Sequence, residues 1–125
     1  MEIQIIEKTA DKVRVNTSLG SFDGIWCSQE PVLFKKYIVE LDSDDVLTSN
    51  DVELVESTFT HIENSEKNVI VSGLVEEVKD GVMVLRLQKY IMIVEISSDL
   101  DFLKYVGCFV RVKLSEIKIY DSGIC

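Results

Sequence analysis

The residues able to do chemistry in this chain are few. His61 is the single histidine, and the thiols are Cys27, Cys108 and Cys125. A Cys–His nucleophile pair needs thiol and imidazole in contact, and no flanking signature marks Cys27 or Cys108 as such a thiol. The cysteine count is odd and no CxxC spacing occurs, so neither a disulfide framework nor a zinc site is implied. Cys108 reads as a small buried side chain, and Cys125 as an exposed thiol. His61 lies in Thr58-Phe59-Thr60-His61 and reads as a structural or surface histidine. No P-loop, GxGxxG or GxSxG is present. The reading is therefore non-enzymatic, with no cofactor and no metal.

The densest cluster of ionisable groups is acidic. Glu40, Asp42, Asp44, Asp45, Asp51, Glu53 and Glu56 fall in one stretch that holds no Lys or Arg. Three chemistries fit it. Clustered carboxylate oxygens suit calcium or magnesium, and Asp42-x-Asp44 begins like an EF-hand loop. Val46, however, stands at the third ligand position, and no glycine follows at the sixth. A solvated face that keeps the protein soluble needs nothing more than charge. The third is a docking surface for a basic partner, in which complementary charge speeds association and fixes register. Trp26, Phe34 and Tyr37 are candidate anchors for such a surface, although aromatic side chains of β proteins are commonly core.

The whole chain of 125 residues carries a formal charge of −9, and 46% of it is hydrophobic. A core can form without disulfides or metals. Residues 1–63 carry −8 and residues 64–125 carry −1, so the acidity belongs to the first half. Such a surface repels phosphate backbones and anionic lipid and attracts basic proteins. The start, Met1-Glu2-Ile3-Gln4, has neither the basic nor the apolar block of a signal peptide, which points to the cytoplasm.

These groups must be positioned by strands. Val69, Val71, Gly73 and Val75 are spaced by two. After Asp80-Gly81 the alternation resumes through Val82, Val84 and Arg86, then passes into an apolar run, Tyr90 to Ile96. Period two is the signature of a half-buried strand, and Asp-Gly between two such runs is a hairpin signal. The run Tyr90–Ile96 is too short for a membrane span and reads as the most buried strand of a sheet. Upstream, a hairpin is expected over residues 2–16, a third strand over Phe22–Cys27 and a fourth over Tyr37–Leu41. Gly24 within the third suggests a bulge or a close backbone approach. One or two short strands fall between Val52 and Ile62. Downstream, Asp99 is the expected N-cap of a short helix over Leu100–Tyr105, followed by strands at Val110–Leu114 and Ile117–Tyr120.

The fold expected is mainly β and antiparallel, with nine or ten short strands in two packed small subdomains and one short helix. The acidic subdomain spans residues 1–63 and the other residues 64–125, divided at the polar segment Glu63–Asn68. The predicted core is Ile5, Val13, Val15, Trp26, Val39, Leu41, Val69, Val71, Val84, Leu85, Ile91, Ile93, Val110, Val112 and Leu114. A short echo links Lys36–Leu41 with Lys89–Ile96.

Residues 69–120 resemble an OB-type barrel in outline: V-x-G-x-V, a hairpin, a strong third strand, a helical insert, then Gly107 before V-R-V-K-L. That resemblance implies nucleic-acid binding or assembly. Arg111, Lys113 and Phe109 share a strand face, but Glu76, Glu77, Glu95 and Glu116 are interleaved among the basic residues. The segments SFDGIW, YIVELDSDD, VSGLVEEV, VLRL and IKIYDSGI resemble those of small acidic bacterial β-proteins of uncharacterised role, some of them associated with toxin-immunity loci. This second resemblance implies an inhibitor of a cognate basic toxin and carries no residue role. The seven acidic residues, Glu40 to Glu56, are then the expected partner-binding set.

Overall fold

A computed structural model describes residues 1–123, so Cys125 lies outside the described residues. The described residues fold as twelve strands with one four-residue α-helix. In order they are β1 (Glu2–Lys8), β2 (Val13–Thr17), β3 (Gly20–Trp26), β4 (Lys36–Asp42), β5 (Val46–Leu47), β6 (Val52–Leu54), β7 (His61–Ser65), β8 (Asn68–Lys79), β9 (Val82–Leu87), β10 (Tyr90–Ile96), α1 (Asp99–Phe102), β11 (Phe109–Leu114) and β12 (Lys118–Asp121). No helix among them is long and apolar enough to cross a membrane.

The alternations in the sequence become strands because each can bury one face. Ile3 and Ile5 of β1, Val13 and Val15 of β2 and Phe22 of β3 all point inward, each at most 3% exposed. Turns fall where the residues allow them. Asp80 and Gly81 both have positive φ, 54° and 79°, as the tight hairpin turn between β8 and β9 demands. Asp99 is not the helix cap. Ser98 takes that position, and the Asp99 carboxylate instead accepts the Gly81 N–H at 2.8 Å, tying α1 to the β8–β9 turn. The helical segment is shorter than expected and continues as a 3-10 turn over Leu103–Tyr105.

Five strands close into a barrel in the order β1-β2-β3-β12-β4, with β4 pairing back onto β1. The others form an open sheet, β5-β10-β9-β8-β11-β6, with β7 added to β8. Strand pairing crosses the middle of the chain in both directions. β5, β6 and β7 pair within the open sheet, and β12 returns to lie parallel to β3 and antiparallel to β4 in the barrel. Closure thus belongs to β1–β4 and β12. The barrel expected over residues 69–120 does not close there: β8 to β11 lie in the open sheet, with β11 returning to pair with β8, and β12 leaves it for the barrel built by β1–β4. Gly24 marks a close approach rather than a bulge. β3 keeps regular register with β2, and a Cβ at Gly24 would lie 2.6 Å from Ile119 Cδ1.

Both sheets share one core, a single cluster running from Ile3 to Ile119. Polar contacts also cross between them. The Ile62 N–H donates to the Leu19 carbonyl at 2.9 Å, and the Asp23 N–H to Asn64 Oδ1 at 2.9 Å. Ten predicted core residues are buried, while Trp26, Leu41 and Val84 are only half-buried. Ile91 and Ile93 are a correction. They are 51% and 49% exposed, and Met92, Val94 and Ile96 fill the core instead. β10 is therefore not the most buried strand. It runs near an edge of the open sheet, and an apolar run reads equally well in either phase of a two-residue period.

One ion pair braces the barrel wall. Arg14 grips Asp23 with two bonds, Nε to Oδ1 at 2.8 Å and Nη2 to Oδ2 at 3.1 Å. The Arg14 hydrogen bonds hold the Asp23 carboxyl below its ordinary range. A carboxylate with a depressed folded-state pKa contributes stability above its unfolded pKa, lost as pH falls through the folded value. Wild type should exceed the Asp23→Asn variant by up to about 1 kcal/mol at neutral pH, small because the pair is partly solvated. That gap should close as pH falls below about 4. Urea unfolding of both proteins across pH checks this; a gap that persists at low pH would assign the stability to shape rather than charge.

Candidate protein-binding groove

A groove of about 650 Å³ lies between β4 of the barrel and β10 of the open sheet. The two strands that echo each other in sequence form its walls. Met1, Val39 and Leu87, all buried residues, lie at its floor. Tyr90, Ile91 and Ile93 line one side, and Leu41 and Tyr120 the other. The exposed apolar side chains are the phase of β10 that the core does not use. Tyr120 remains a neutral phenol to higher pH than usual, first because of the charge of the neighbouring Cys27 when ionised, then through burial.

Only Glu40 and Asp42 of the seven acidic residues line this groove. Spaced by two on β4, they share its exposed face. The others sit elsewhere. Asp44 pairs with Lys118, raising the lysine pKa chiefly through their hydrogen bond. Asp45 accepts the Ser115 N–H at 2.7 Å and its hydroxyl at 2.5 Å, bracing the β11–β12 connection. Asp51 accepts the Thr48 N–H at 2.9 Å in a capping box over residues 49–51. Glu53 lies opposite Arg111 in the β6–β11 ladder, and Glu56 is exposed in the following loop. Three of the seven thus hold the fold together, and the run is not one continuous patch. No three His, Cys, Asp or Glu side chains among the described residues converge on a cation position.

Of the candidate anchors, Trp26 packs edge-on against Tyr37 at 4.9 Å, and both lie half-buried against the core. Phe34 is exposed, in a loop where its φ is 65°. His61 is half-buried and stacks on exposed Phe59 at 5.2 Å, beside Ser72, Glu63 and Arg111 on the outer face of the open sheet. No cysteine lines that corner. Cys108 is half-buried rather than core, because it precedes β11.

No family model matches the chain, and no curated protein or solved structure matches it either.

Sequence reasoning missed the groove's apolar half. The signal was present as Ile91 and Ile93 alternating with Met92 and Val94. Choosing which pair is exposed requires knowing which strand lies beside β10.

Proposed function

We propose that this chain is a non-enzymatic protein-binding domain that docks a basic partner along the groove between β4 and β10. Most concretely, it is an immunity-type inhibitor that neutralises a cognate basic toxin in the bacterial cytoplasm. The observation that carries the reading is the groove itself, where exposed Ile91, Ile93 and Tyr120 lie beside Glu40 and Asp42. Apolar contact supplies affinity, and carboxylates at the rim select a cationic segment. The remaining acidic residues, Asp44, Asp45, Asp51, Glu53 and Glu56, add to the long-range field that steers a basic protein inward. A nuclease toxin offers a basic cleft built for phosphate, which an acidic inhibitor complements.

The test uses two matched baits, wild type and the Glu40→Lys/Asp42→Lys double variant, which leaves the Asp44–Lys118 pair and the Asp45 and Asp51 bonds in place. Wild type should retain a basic protein that elutes with salt, and the variant should associate with it about tenfold more slowly at low ionic strength. Equal retention by both baits would remove the groove from the mechanism.

A second reading, an OB-type nucleic-acid-binding or assembly module, is favoured by Phe59 stacked on His61 beside Arg111. Exposed aromatics with a cation suit a stacked base. Labelled oligonucleotides at low salt separate the two, since low salt favours phosphate binding most.

A further inference from the structure

β10 carries an open edge along the groove. Its inner side is fully paired with β9, from Tyr90↔Leu87 to Glu95↔Val82. Its outer side is paired only at the far end, where Glu95 and Ile96 meet the two residues of β5. The direction of each peptide group follows from two bonds. The Ser97 N–H donates to Leu47 on the outer side, and the Ile96 N–H to Gly81 on the inner side. Alternation then turns the N–H and C=O of Ile91 and Ile93 outward, toward the groove, where they meet no partner among the described residues.

Exposed strand edges are ordinarily blunted by lysine, proline, a bulge or a covering loop, because unpaired peptide groups invite another strand. β10 has no lysine, proline or bulge between Tyr90 and Val94, and its register with β9 is unbroken. The other strands are managed. β5 and β6 are only two and three residues long, and the outer side of β7 is met by the Leu19 carbonyl on its way into β3.

We infer that the groove takes an extended, basic segment of the partner protein as an added strand beside Tyr90–Val94. This rests on the protein-binding reading above and specifies how the partner is held. Peptide groups of the added strand bond to those of Ile91 and Ile93. One set of its alternating side chains covers Met1, Val39 and Leu87, and the other lies at the rim near Glu40 and Asp42. A second copy of this chain is the poorer occupant. It would bring the same carboxylates to the same rim, and β4 stands across the groove where an approaching sheet would have to lie.

The probe is a blocked peptide of alternating lysine and valine, added in millimolar excess to the full isotope-labelled chain and followed by NMR. Amide shifts should centre on Ile91 and Ile93. Three changes should weaken binding about tenfold, the worth of one or two interchain hydrogen bonds or of the charge match: N-methylation of alternate peptide amides, glutamate in place of lysine, and Ile93→Pro. The proline removes an outward N–H and leaves the β9 ladder intact. If that variant misfolds, the N-methylated peptide still decides, since it leaves the protein unaltered. No shifts at Ile91 and Ile93, or equal affinity of the methylated peptide, would overturn strand addition. So would edge protection that appears in the protein alone with rising concentration, which would make the occupant a second copy. A captured basic partner held equally by wild type and Ile93→Pro would leave the protein-binding reading standing and strand addition refuted.

Discussion

Replacing Gly20 with alanine is expected to cost about 4 kcal/mol and lower the thermal midpoint by roughly 15 °C, a large share of the stability of a domain this size. Two effects combine. Gly20 opens β3 with φ at +130°, a conformation side chains rarely adopt. A Cβ there would lie 2.3 Å from the Ile62 carbonyl oxygen and 2.7 Å from the His61 ring. The first neighbour is backbone and cannot rotate away. The same carbonyl region belongs to the seam where Leu19 accepts the Ile62 N–H, so the barrel and the open sheet would have to separate there. Differential scanning calorimetry of the purified variant measures the loss. A midpoint within a few degrees of wild type would show that the seam slides freely and that the two sheets are not locked through this turn.

Truncating Phe102 to alanine is expected to cost about 4 kcal/mol, the usual range for a fully buried aromatic. Phe102 is 0% exposed and packs edge-on against Tyr105 at 5.7 Å. α1 has four residues, far too few to be stable alone, so its position depends on this side chain. Losing it should also loosen the Asp99 bond to Gly81 and the hairpin turn above it. Urea unfolding should show a lower midpoint at unchanged slope. Leu103→Ala is the control. Leu103 is 51% exposed, and its truncation should change stability by less than about 0.5 kcal/mol. Comparable losses in both variants would mean that the segment is not held chiefly by the burial of Phe102, since alanine is the better helix former at either position.

These two positions differ in how readable they were. Phe102 falls within the short helix expected over Leu100–Tyr105, although the strand alternation that picked out the core passes over it. Gly20 looks like an ordinary turn residue, and only the proximity of Ile62, far away in sequence, gives it a larger role. The acidic run shows the same division. Its charge was legible as composition, and so was its value as a steering field. That Asp44, Asp45 and Asp51 are occupied by Lys118, Ser115 and Thr48, leaving Glu40 and Asp42 to the groove, depends on where β12 and the residue 49–51 turn come to rest.

Local chemistry by itself determined most of the strands, though not β5 or the β7–β8 turn at Glu66-Lys67, together with the Asp80-Gly81 hairpin, the short helix after Ile96 and the acidic first half. Each follows from neighbours within a few residues: side-chain alternation, turn preference and charge. Tertiary structure decided which phase of β10 is buried, which edge stays open, and that β12 completes a barrel begun far upstream. A period of two has two phases of equal local merit, and strand neighbours are chosen by pairing between distant segments. The groove exists because β4 and β10, from different sheets, come to rest face to face over one shared core.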